Sequence, residues 1–239
     1  MSDMFVNPGE KVIDLDAVEP SAADSAAHVT SDEFFRRVRA RLTFDIPPAL
    51  TDASIIPTTG DFGTDKILEI IAEERPIRQA AVLIPVIERA EPMVLLTQRA
   101  THLNDHAGQV AFPGGKIDPG DKSPMHAALR EAEEEIGLDA RFIEPIGYLD
   151  LYATTFGFRI VPTVARVQPG FKLRVNKSEV DDVFEVPLAF LMDPANHRTK
   201  TRQFRDITRS FYEMPYGERY VWGATAGMLR ILYQRIFAT

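Results

Sequence analysis

The chain contains no cysteine. Disulfides, thiolate zinc sites, iron–sulfur clusters and a cysteine nucleophile are therefore excluded. No apolar run approaches the ~18 residues that a membrane helix requires, and no membrane partner is expected. The first twenty residues, MSDMFVNPGEKVIDLDAVEP, have neither a basic n-region nor an apolar h-region. That argues against a signal peptide and makes the cytoplasm the expected compartment. Positive charge is also in deficit: 27 Lys and Arg face 35 Asp and Glu, for a net charge of −8. This balance disfavours nucleic acid as a partner but leaves room for a local basic pocket that holds a small anion.

What is present is ordinary globular composition. Apolar residues make up 45% of 239 positions, enough for one sizeable domain with additions or for two small ones. Residues 1–29 are acidic, rich in Ala and Ser, and read as an extended or poorly ordered arm. Thr30 followed by Glu33 is a capping-box pattern. Phe34, Phe35, Val38 and Leu42 then recur at helical spacing, which predicts a helix over 31–42. A second helix is predicted at 64–74, stopped by Pro76. From residue 79 the pattern becomes strand-like in AAVLIPVIE, PMVLLTQR, IEPIGYLDLYATT, FRIVPTVARV and VFEVPLAFLM. Pro187 marks a strand edge or the start of a short helix at 187–192. RSFYEMPYGERYVWG reads as a hairpin and ATAGMLRILYQRIFA as a closing amphipathic helix. The basic run 197–205, HRTKTRQFR, reads as a solvated loop, with contact to a phosphate as the less favoured alternative. The organisation expected is the arm over 1–29, a helical extension over 30–77, and one α/β domain over 78–239.

The chemistry concentrates in residues 112–138, FPGGKIDPGDKSPMHAALREAEEEIGL. Ser123 and Pro124 form an N-cap and a favoured first helical residue, and Gly137 is a natural C-terminal stop. The helix should span 124–136, with Met125, Ala128, Leu129, Ala132 and Ile136 as its apolar stripe. Glu131, Glu134 and Glu135 lie at i, i+3 and i+4 and share another face, while Glu133 points elsewhere. At ~6 Å and an effective dielectric of ~20, each pair of these carboxylates repels by about 3 kcal/mol. Arg130 relieves part of this by reaching Glu134 at i+4. A divalent cation would relieve more, and carboxylate oxygens suit Mg²⁺ or Mn²⁺. Gly114 and Gly115, just ahead, permit close backbone approach.

This stretch resembles the box of the Nudix hydrolases: Gly, five residues, Glu, seven residues, then Arg-Glu-U-x-Glu-Glu-x-Gly-U, with U apolar. Gly115 takes the first place, and Arg130 through Leu138 match the second half. Asp121 stands where the first Glu is expected, with eight residues rather than seven before Arg130. Upstream, LLTQRATHLNDHAGQVAFPGG is similar to the additional signature of the coenzyme A pyrophosphatase branch. Leu95, Leu96, Thr97, Arg99, Ala100, Gly108 and Phe112 to Gly115 fit it, while Asn104 replaces an arginine. The resemblance covers roughly residues 78–237.

The resemblance implies an α/β/α sandwich around a mixed β-sheet, and a pyrophosphohydrolase that uses Mg²⁺ or Mn²⁺. It implies that Glu131, Glu134 and Glu135 are the metal ligands, with Arg130 orienting Glu134. The catalytic base it implies is Glu131 or Glu179, with Asp181 and Asp182 as neighbours. Arg99, Gly114 and Gly115 are the implied substrate contacts, and His106 a loop-packing residue. The substrate implied is coenzyme A or a derivative, cleaved to 3′,5′-ADP and a phosphopantetheine. Another nucleoside diphosphate derivative (ADP-ribose, NADH or a dinucleoside polyphosphate) is the alternative. A non-catalytic nucleotide-binding protein is a third reading, disfavoured because the box glutamates are all present. The N-terminal helices are read either as a cover for the cleft or as a homodimer contact.

Overall fold

The structure, a computed structural model, describes residues 12–14, 29–61, 76–204 and 207–238. The predicted helix at 64–74 lies outside them. Of the arm, Val12–Asp14 (β1) is a strand, and residues 1–11 and 15–28 lie outside the described residues.

The first helix, α1 (Ser31–Arg41), begins where the capping box places it: Thr30 Oγ1 accepts the Glu33 N–H at 3.3 Å. Its apolar residues are not a surface stripe. Phe34, Phe35 and Val38 are fully buried, and the Phe34 ring stacks on Phe237 at 6.3 Å. Burying side chains of this size contributes about 1.5–3 kcal/mol each. Segment 29–61 therefore shares its core with the rest of the chain. It also bridges the sheet directly, pairing Thr43 with Tyr148 and Gly60 with Ala153.

The strands that follow are β2 (Arg78–Ile87), β3 (Met93–Arg99), β4 (Val110–Ala111), β5 (Gly114–Lys116), β6 (Ile143–Tyr148), β7 (Tyr152–Ala153), β8 (Phe158–Val167) and β9 (Val180–Pro187). They form one mixed sheet. β2 runs parallel to β8 in unbroken register from Arg78↔Phe158 to Ile87↔Val167. The pairings of β2 with β3 and β5, and of β3 with β4 and β9, are antiparallel. The two-residue period of a strand divides β2 between two cores. Ala81, Leu83 and Ile87 face the helix α2 (Pro124–Ile136); Ile84 and Val86 face α1 and the closing helix α4 (Gly223–Ile236). The result is the expected α/β/α sandwich.

Strand β9 ends at Pro187 and passes directly into the short helix α3 (Leu188–Met192). The predicted hairpin is β11 (Ile207–Tyr216) with β12 (Arg219–Trp222), turning at Gly217. One expectation is corrected. The basic run at 197–205 is not a solvated loop, because Arg198–Phe204 forms β10, paired in register with β11 and, at its other edge, with β1. Its charge disguised its alternation. Thr201 is buried, and the Lys200 ammonium lies 3.4 Å from the carboxylate of the buried Glu213. Long basic side chains pack their stems and expose their heads.

Candidate active site

The acidic helix α2 forms with the predicted bounds and caps. Ser123 Oγ accepts the His126 N–H at 3.2 Å, Pro124 opens the first turn, and Gly137 adopts φ 66° beyond the last. The buried face differs slightly from the predicted stripe. Ala127, Ala128, Ala132 and Ile136 are buried, whereas Met125 and Leu129 are only partly so. Ala127 belongs to the core because the helix lies over the small residues Ala81 and Ala165 of the sheet. Glu135 is on the buried side as well, 4% exposed.

The glycine pair explains how a carboxylate can be buried there. Gly115 and Gly114 pair with Ala81 and Val82 of β2, directly beneath the helix. Gly114, at φ 153°, donates its N–H to Glu135 Oε2 at 3.1 Å. A Cβ placed on Gly115 would stand 2.6 Å from Glu131 Oε1. The strand backbone and the two carboxylates are thus in contact, and glycine at 115 allows that approach without displacing Glu131.

Arg130 holds the exposed side of the same group. Its guanidinium donates to Glu131 Oε1 and to Glu134 Oε2, each at 3.0 Å, and to the Lys116 carbonyl at 3.1 Å. The predicted i+4 pairing is therefore one arm of a larger clamp. The other arm is Asp121, which accepts from Arg130 Nε at 3.2 Å and Nη2 at 3.0 Å. Asp121 has a side chain only 2% exposed. It also accepts the Asp118 N–H, and its Oδ1 lies 2.8 Å from His126 Nδ1. The Arg130 guanidinium holds the Asp121 carboxyl well below the usual carboxylate range. Sequence reasoning left Asp121 without a role. The turn at 118–121 closes through the Asp121 N–H to Asp118 O bond, 2.9 Å. That turn sets an acid against the arginine despite the longer spacing.

The remaining candidates arrive from other elements. Arg99 ends β3, and its charge acts on Glu135. The Arg99 Nε–H is buried with no acceptor among the described residues. Glu179 precedes β9. Its carbonyl accepts the Ala100 N–H at 2.9 Å, and its Oε1 accepts from Asn176 Nδ2 at 3.3 Å. Its charge disfavours ionisation of both Glu131 and Glu135. The predicted residues Arg99, Gly114, Gly115, Arg130, Glu131, Glu134, Glu135 and Glu179 thus share one neighbourhood. Glu133 is exposed and off the face. Asp181 and Asp182 are engaged elsewhere, by the Thr101 N–H at 2.8 Å and by Arg219 respectively. His106 and Asn104 lie on the exposed loop 101–106.

The electrostatics are those of an under-compensated acid cluster. Burial pushes the Glu135 carboxyl up to about 7, opposed by the Gly114 N–H, and Glu131 and Glu179 push in the same direction as burial. Burial also raises Glu131, with Arg130 opposing it. Among the described residues no three carboxylate or imidazole groups already converge into a cation cage; Arg130 occupies oxygens of both Glu131 and Glu134. The donor set nonetheless fits a hard divalent cation. It is all carboxylate oxygen, and the hydrogen bond to buried Glu135 comes from a neutral amide.

A family model for the NUDIX domain matches residues 77–206. The "uncharacterized Nudix hydrolase NudL" of Shigella flexneri is 42% identical over 162 residues, 68% of this chain and 84% of that protein. The protein of the same name from Escherichia coli (strain K12) is 42% identical over 159 residues, 66% of this chain and 83% of that one. A crystal structure of a Caenorhabditis elegans Ap4A hydrolase binary complex superposes with a TM-score of 0.40 at 20% identity, over 46% of this chain and 80% of that one.

Proposed function

The chain belongs to the Nudix family and is a Nudix hydrolase, and from that premise we propose that it hydrolyses the diphosphate linkage of coenzyme A or its derivatives to 3′,5′-ADP and (acyl-)4′-phosphopantetheine. The family acts on small-molecule nucleotide substrates with divalent metal ions. The observation that carries the finer reading is the path of residues 95–115. This stretch folds as β3, a loop, β4 and the start of β5, and it carries both Arg99, whose charge acts on Glu135, and the glycine pair that touches Glu135 and Glu131. This supports reading the coenzyme A-type signature and the acidic helix as parts of one site.

In this reading Glu131, Glu134 and Glu135 hold Mg²⁺ or Mn²⁺. The bound ion supplies neutralisation of phosphate charge and acidification of the attacking water. The protein supplies the rest. Arg99 offers its buried Nε–H to a phosphate oxygen. Arg130, fixed by Asp121, orients Glu131 and Glu134. Glu131 Oε or Glu179 Oε accepts the proton of the attacking water. Burial makes the Glu131 carboxylate a stronger base than an exposed one. Asn104, standing where the signature has an arginine, favours the second reading: the same cleavage of ADP-ribose, NADH or a dinucleoside polyphosphate. Residues 30–77 and 1–29 are proposed as additions to a catalytic domain over 78–239, in a chain acting in the cytoplasm; the N-terminal helices either cover the cleft or form a homodimer contact.

Glu134 tests the site. Its side chain is 57% exposed, so Glu134→Gln should leave the fold unchanged by circular dichroism while metal-dependent product release disappears. Retained turnover in that variant would remove Glu134 from the site.

A further inference from the structure

We infer that His106 and Phe156 form the platform on which the nucleobase of the substrate stacks, an inference that rests on the nucleoside diphosphate reading above. The strand registers place the pair. β3 is antiparallel to β2, and β8 is parallel to β2 from its first residue. The end of β3 and the beginnings of β2 and β8 therefore lie at one end of the sheet. Gly115 and Gly114, with Glu131 and Glu135 against them, pair at Ala81 and Val82. That is three to four residues in from Arg78, or about 10–13 Å at the strand rise. From this end of the sheet project the loop 100–109, between β3 and β4, and the turn 154–157, between β7 and β8.

Both projections are anchored at their bases. Ala100 donates its N–H to Glu179 O at 2.9 Å, Gly108 to Arg99 O at 3.1 Å, and Arg99 to Gln109 O at 2.9 Å. The loop thus begins and closes on residues of the candidate site. The turn is held by the Thr154 N–H to Phe158 O bond, 2.9 Å, and by the Thr155 N–H to Asp61 Oδ2 bond, 3.3 Å. Their tips meet. The His106 and Phe156 rings lie edge to face, centroids 6.1 Å apart at 82°.

Neither ring is placed by core packing. Phe156 is 50% exposed and His106 is also exposed. His106 is the non-glycine residue held in the left-handed region, at φ 58°, among the described residues. Its Nδ1 lies 3.0 Å from Gln109 Oε1, which fixes the ring. A positive φ is uncommon outside glycine, and here it sets an exposed ring rather than a buried one. An exposed aromatic face, steadied by a second ring, recognises a planar π-system by stacking. A nucleoside diphosphate carries such a system one ribose away from its phosphates, and the pair projects from the end of the sheet nearest the glycine pair.

The test compares the purified wild type with Phe156→Ala and Phe156→Trp under Mg²⁺. One substrate is whichever of coenzyme A and ADP-ribose the wild type hydrolyses faster; ribose 5-diphosphate is the base-free comparator. Loss of one aromatic stack predicts a KM about tenfold higher for the adenine substrate in Phe156→Ala. In the same variant kcat should be little changed, and kcat/KM for ribose 5-diphosphate unaltered. Phe156→Trp should keep KM at or below the wild-type value. An unchanged KM in Phe156→Ala, an equal loss on both substrates, or a Phe156→Trp variant as impaired as Phe156→Ala overturns the inference. An active wild type with an unaffected Phe156→Ala overturns this inference alone; a wild type that hydrolyses no diphosphate overturns the diphosphate reading and this inference with it.

Discussion

Glu135 is the acid for which the structure makes the least intuitive prediction: neutralising it should stabilise the protein while destroying its function. The side chain is 4% exposed and its carboxyl is pushed up to about 7, with burial the largest cause. The sign follows from linkage. A carboxyl whose folded pKa lies above its unfolded value loses stability as pH rises from about 4.5, through the folded value near 7, and the loss is complete above it. The gap of about 2.5 pH units corresponds to roughly 3 kcal/mol at 1.36 kcal/mol per unit. Glu135→Gln removes the charge and keeps an oxygen to accept the Gly114 N–H. In metal-free buffer at pH 8 the variant should melt about 6–12 °C above the wild type, given ~2–4 °C per kcal/mol for a chain of this size. The difference should shrink through pH 7 and vanish near pH 4.5. Adding Mg²⁺ or Mn²⁺ should raise the wild-type Tm and close the gap from the other side. Thermal melts in EDTA across this range, repeated with metal, provide the assay. A variant that melts below the wild type at pH 8, or a difference independent of pH, would refute the argument that buried Glu135 is an uncompensated charge.

Two further predictions concern how the site is held. Asp121→Asn weakens the clamp on Arg130, which keeps its bonds to Glu131, Glu134 and Lys116 O. The expected cost is therefore about 2 kcal/mol, a fall in Tm of roughly 4–8 °C. Asp121 has a lowered folded pKa, so this cost should be present above about pH 3.9 and fade as pH falls below it; a melt series from pH 7 to 3 checks this. Gly115→Ala sets a methyl group 2.6 Å from the Glu131 carboxylate, which can swing aside. The fold should survive with Tm nearly unchanged, while kcat/KM falls about 100-fold from a misplaced acid, as steady-state kinetics and a melt on the same sample will report.

The features legible in the sequence were the local ones. Ser123, Pro124 and Gly137 set the ends of α2 through contacts within one turn, and the helical period alone grouped Glu131, Glu134 and Glu135. The spacing also gave the Arg130–Glu134 pair. What escaped depended on chain segments distant in sequence. Periodicity assigned Glu135 to a polar face; it is buried because the Gly114–Gly115 backbone lies against it. Asp121 had no evident partner because its role depends on the 118–121 turn folding back on Arg130. The strand at 198–204 was hidden by its own charge, since alternation of Lys and Arg with Thr and Gln carries little hydrophobic contrast. The integration of α1 into the sheet's core through Phe34 and Phe237 joins residues two hundred positions apart, beyond the reach of any local pattern. Glu179 and Arg99 were proposed by resemblance, and β3–β9 pairing is what brings them together.

In the proposed function, the acidic helix, the glycine turn and Arg99 form a metal-dependent site for the diphosphate of coenzyme A. Its most direct test is product identification by mass spectrometry after incubation of the full chain with coenzyme A, with and without Mg²⁺ or Mn²⁺, beside ADP-ribose, NADH and a dinucleoside polyphosphate. The expected products are 3′,5′-ADP and 4′-phosphopantetheine, formed only with metal and at the highest kcat/KM of the panel. Intact coenzyme A in the presence of metal, while another member of the panel is cleaved, would contradict it.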